Sequence, residues 1–111
     1  MRRRMVALAA TALVVLAGCS GTVDRHDEDV QREYVQIARE DQPELEPLPD
    51  QMIVDYGLAI CEAFDDGATV RELALVTGFV VQDKEIAGIL GRLSATATME
   101  LCPEHREVIG A

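Results

Sequence analysis

Apolar residues return along this chain with two different rhythms. From Met5 to Ala17 they run almost unbroken, with only Thr11 between them. From Asp29 onward they recur at helical spacing. Val30, Tyr34, Ile37 and Ala38 fall at i, i+4, i+7 and i+8, which predicts a first helix ending before Pro43. Asp41 to Asp50, with Pro43, Pro47 and Pro49, reads as a connector. Ile53, Tyr56, Gly57, Ile60, Cys61 and Phe64 share one face of a second helix expected over Asp50 to Asp65, with Gly67 as its left-handed C-terminal cap. Thr69-Val70-Arg71-Glu72 has capping-box spacing and opens a short third helix. That helix is expected to stop at Gly78, leaving Phe79-Val80-Val81 as an apolar turn tucked under the fold, with a strand as the alternative.

A fourth helix is expected from Asp83, a suitable N-cap, to about Cys102, where Pro103 forces an end; Glu85 lies in its first turn, where the dipole favours a carboxylate. It carries two seams. Ile86, Leu90, Leu93, Ala97 and Leu101 form the bulky one, and Gly88, Gly91, Ala95, Thr98 and Cys102 the small one. Two interior glycines cost about 1 kcal/mol each relative to alanine, which points to another helix packing closely there. The second helix, offering Gly57 and Cys61 one turn apart, is the candidate neighbour, and the bulky seam would then meet the first and third helices. If Gly88, Gly91 and Ala95 instead face solvent, they become a candidate interaction seam for a partner. The fold class is all-α: a small disulfide-linked bundle of about four helices.

The first rhythm means something else. Arg2, Arg3 and Arg4 precede an apolar run well short of the ~20 residues a membrane-spanning helix needs, the layout of an export signal. The run ends in Leu16-Ala17-Gly18-Cys19, which resembles the lipobox of bacterial lipoproteins, in which the thiol receives a diacylglyceryl group and the chain is cut before the cysteine. The expected organisation is a signal peptide over 1–18, a flexible tether over 19–29 and a helical domain over 30–111. Lipid on Cys19 would hold the protein to the cell membrane on its extracytoplasmic face.

Charge changes the picture of partners. The chain has 10 Lys+Arg against 20 Asp+Glu, a net charge of −10; without Arg2, Arg3 and Arg4 seven cations face the same 20 acids, giving −13. Such a body suits neither nucleic acid nor an anionic membrane surface. The cysteines divide in the same way. With Cys19 used for lipid, Cys61 and Cys102 remain, each near the C-terminal end of its helix, in a compartment that permits a disulfide.

Catalytic and metal-binding patterns are wanting. His26 sits among carboxylates whose spacing fits neither a calcium loop nor a zinc pattern, and His105 has no second ligand at helical spacing. Cys102-Pro103-Glu104-His105 lacks the second thiol of a redox or haem motif. Adjacent Asp65 and Asp66 at a helix end read as solvated acids. No catalytic residue, metal or cofactor is therefore expected, and the protein reads as a non-enzyme.

A cysteine near one helix end, then Asp66-Gly67-Ala68-Thr69, a short helix and a last helix ending Leu101-Cys102-Pro103 resembles the small exported helical proteins of mycobacteria and relatives grouped as a domain of unknown function. The resemblance spans roughly residues 30 to 105; the acidic, proline-rich connector at 41–50 and the few aromatics depart from it. It implies an all-helical, disulfide-bonded exported domain and supplies no activity. The functional expectation is an interaction module that meets an envelope protein, with a carrier of a lipid or other apolar ligand as the alternative, its cavity lined by Met52, Phe64, Phe79 and Met99.

Overall fold

The computed structural model describes residues 23–80 and 82–110, the side chains of 77–80 and 110 excepted. The expected signal peptide, Cys19 and the first part of the expected tether lie outside the described residues, as does Val81. Within them the protein is all-helical: α1 (Glu28–Asp41), α2 (Asp50–Asp65), α3 (Val70–Val80), α4 (Lys84–Leu101) and the short α5 (Arg106–Gly110), with 3₁₀ turns at Pro43–Leu45 and Pro103–His105.

Local chemistry sets the helix ends. The Asp27 carboxylate accepts from the amides of Asp29 at 2.8 Å and Val30 at 3.2 Å, satisfying two donors that α1 leaves open, while Glu28 and Asp29 complement its dipole. Asp83 does the same for α4 through the amides of Glu85 and Ile86. At the end of α2, Gly67 takes a φ of +92°, and its amide and that of Ala68 return to the carbonyls of Phe64 and Ala63. The Thr69 hydroxyl accepts from the Glu72 amide and donates to the Glu72 carboxylate, opening α3. The connector is also organised: Arg39 donates to the carbonyls of Leu45, Glu46 and Leu48 and pairs with Asp50, so Leu45 drops into the core.

The core lies where α4 crosses α1 and α2. Tyr34, Val35 and Ala38 of α1, Leu45, Ile53 and Val54 of α2's approach and first turns, and Leu93, Ala97 and Leu101 of α4 pack around the Cys61–Cys102 disulfide, whose Cα atoms stand 5.9 Å apart. The expected bond is thus present, and α4 is the central helix. Polar ties fix its register: Tyr56 donates to the Leu90 carbonyl and pairs with the Ser94 hydroxyl, and Gln42 reaches the Ile89 carbonyl. The Gln42 side-chain carbonyl is buried and has no partner among the described residues.

Three expectations need correction. Residues 25–29, placed in the tether, belong to the folded unit, because Asp27 caps α1 and Arg25 pairs with Asp65 and Glu104. The third helix does not stop at Gly78 but continues to Val80. Glycine lowers helix propensity without ending a helix; an end needs the left-handed turn that Gly67 makes. Finally, the two seams of α4 meet their expected neighbours only in part: Cys102 of the small seam does reach Cys61 of α2, but Leu101 of the bulky seam also packs on α2. Gly57 of α2 receives Tyr34 and Leu101, not the glycine seam. Only the C-terminal part of each seam is buried, Leu93, Ala97 and Leu101 in one and Thr98 and Cys102 in the other. Ile86, in the first turn of α4, is 48% exposed.

Candidate functional site

Gly88, Gly91 and Ala95 are exposed. A Cβ placed on Gly88 or Gly91 would meet no atom within 4 Å among the described residues, so no helix packs tightly against this seam. Gly91 and Ala95 form one wall of a cleft of about 350 Å³, together with Ala87 and Ser94 of α4. Val70, Leu73 and Ala74 of α3 form the opposite wall, and Phe64 and Ile109 close one end. The lining is almost wholly apolar. Gly91 has no side chain and Ala87, Ser94 and Ala95 have only small ones, so little projects from α4 to fill the space beside α3.

The closed end of the cleft is held by charge. The Phe64 ring lies 5.8 Å from that of His105, whose Nε2 is 2.6 Å from an Asp65 carboxylate oxygen. Arg25 donates to the other Asp65 oxygen at 2.8 Å and to Glu104 at 3.2 Å, joining the chain before α1 to the ends of α2 and α4. Hydrogen bonds from Arg25 and then His105 hold the Asp65 carboxyl below its ordinary range. In return the Asp65 carboxylate raises the Arg25 guanidinium above its own, against partial burial.

The ligand atoms of Asp65, Glu104 and His105 lie within 4.8 Å of one another, a geometry open to a metal. Arg25 already supplies positive charge to both carboxylates, so the arrangement works as an ion-pair network that seals the end of the bundle. This cluster was not legible in the sequence. Its members are 40 and 79 residues from Arg25, and the one available signal was a lone arginine in an acidic stretch.

The remaining predicted residues are accounted for. His26 is exposed and lies in the turn from Asp24 to Asp27. Asp66 caps α2 and is exposed. Met52 and Met99 are 54% and 50% exposed, and the side chain of Phe79 lies outside the described residues, so of the cavity residues expected for a carrier only Phe64 lines the cleft. Among the described residues no helix is long and apolar enough to cross a membrane. No family model matches the chain, and neither does any curated protein or solved structure.

Proposed function

We propose that the chain is an exported lipoprotein, anchored through Cys19 to the extracytoplasmic face of the cell membrane, whose acidic domain is a non-enzymatic interaction module. The small seam of α4 supports this reading. Gly88 and Gly91 are a conformational burden in a helix interior, and no close helix contact among the described residues accounts for them. Gly91, with Ala87 and Ala95, lines an apolar cleft between α3 and α4, a shape suited to an amphipathic helix of an envelope protein. The lipobox-like Leu16-Ala17-Gly18-Cys19, and the resemblance to small exported helical proteins of mycobacteria, support the location.

The experiment is gentle extraction of the mature protein from native membranes, with and without Gly91→Leu, which places a large side chain in the cleft. A stoichiometric protein that accompanies the parent and is lost from a folded Gly91→Leu variant is the expected result. A partner retained unchanged by that variant overturns the cleft as the docking surface. A carrier of an apolar ligand is the second reading, favoured by a cleft volume at the lower end of the range for small-molecule sites. An extractable lipid present at one per chain, in place of a protein, would establish it.

A further inference from the structure

The apolar surface of α3 is not exhausted by the cleft. Val70, Leu73 and Ala74 face α4 across it, while Leu75 and Val76 are 64% and 62% exposed. Leu73 to Val81 contains no charged residue, in a chain in which 27% of residues are charged. Beyond its charged first turn, an uncharged stretch of α3 that leaves Leu75 and Val76 in water is unfavourable for an isolated domain and calls for something to cover it.

The position of the anchor indicates what that is. Arg25 is fixed to Asp65, the last residue of α2, and the Asp66–Thr69 turn leads directly into α3. Only five residues lie between Cys19 and Arg25, six backbone steps that span at most ~20 Å. On the reading of Cys19 as the lipid anchor, on which this inference rests, a bilayer is therefore held permanently close to α3.

We propose that the outer face of α3, through Leu75 and Val76, rests on the lipid bilayer and makes a second membrane contact beside the anchor. Two side chains bury too little surface to bind a membrane unaided. A short tether raises their effective concentration at the surface, so that the contact becomes favourable once the lipid is inserted. The acidic body opposes anionic headgroups, which makes a zwitterionic surface the preferred one.

The test uses the mature lipidated chain with a polarity-sensitive fluorophore on Leu75→Cys, compared with the same probe on Met52→Cys, an apolar position on α2 that is 54% exposed against 64% for Leu75. Cys61 and Cys102 are bonded to each other and the lipid blocks Cys19, so only the introduced thiol reacts. On phosphatidylcholine vesicles containing brominated lipid, the probe at 75 should shift to the blue and be quenched several-fold more than the probe at 52. The difference should diminish as phosphatidylglycerol is added and disappear in Cys19→Ser. Co-flotation with vesicles but equal quenching at 75 and 52 overturns the bilayer contact alone. Failure of the native-host protein to co-float overturns the anchor, and the contact with it.

Discussion

Gly57 lies directly against the ring of Tyr34: a Cβ at that position would fall 2.7 Å from the phenol oxygen and 2.8 Å from Leu101 Cδ1. Tyr34 is fully buried and donates to the Ile53 carbonyl at 3.0 Å, so its ring has little freedom to retreat. Burial, with a smaller contribution from Tyr56, raises its hydroxyl above the ordinary tyrosine range, and the group stays a neutral donor. Gly57→Ala should therefore destabilise the domain by about 1 to 3 kcal/mol despite alanine's better helix propensity. Denaturant unfolding checks this. Combined with Tyr34→Phe, which removes the nearest atom, Gly57→Ala should cost less than it does alone.

The glycines of α4 should behave in the opposite sense. With open space beside Gly88 and Gly91, alanine at either position should stabilise the helix by up to about 1 kcal/mol, raising the melting temperature by several degrees. A melting temperature that falls in both variants would mean that the seam is occupied.

Acid should weaken the closed end of the cleft. The Asp65 carboxyl is held below its unfolded value, so the folded state favours the deprotonated form. The stabilisation is present above the unfolded carboxylate range of about 4 and is lost as pH falls through the lowered folded value. Asp65 is partly exposed, and solvent screening limits the contribution to about 1 kcal/mol or less. In a pH series of urea midpoints, Asp65→Asn should flatten the acid limb of the stability profile, and Arg25→Gln should shift it.

Replacing both Cys61 and Cys102 by alanine should lower stability by up to roughly 4 kcal/mol, the chain-entropy value for the 41-residue separation they span. For a domain this small that is a large part of the net stability. Thermal unfolding of the double variant measures it, and an unchanged melting temperature would show that packing alone holds α2 to α4.

Features written in neighbouring residues were legible before the fold was known. Asp83 followed by Glu85, Pro103 after Cys102, Gly67 after a helical run and the Thr69–Glu72 box all act within one turn of chain, and each marks the end it was expected to mark. The disulfide was legible because a cysteine count restricts the choices. Which face of α4 meets which neighbour was not. Both seams have helical period, and only the bulk of Tyr34 filling the space above Gly57 decides that α1, and not the glycine seam, packs there. The reach of Arg25 to Asp65 was equally hidden, since long-range pairing of exposed charges leaves no periodic trace. Leu73 and Ala74 could be recognised as helix-forming, but their place across from Gly91 depends on the angle of α3 to α4.

Arg39 gathers the carbonyl groups of Leu45, Glu46 and Leu48 in the proline-rich connector onto one guanidinium. The segment is otherwise held by the buried Leu45 side chain and three short turn hydrogen bonds; its prolines donate no amide, and Glu44 and Glu46 are exposed. Its resistance to local opening therefore depends heavily on the Arg39 side chain. Removing that side chain should convert a rigid link into a substrate for proteases. A glutamyl endopeptidase should cut Arg39→Ala after Glu44 or Glu46 well before the helices are attacked, while the parent chain stays intact over the same period. The proteolytic lifetime of that variant would then be set at this link and not by the global stability of the bundle.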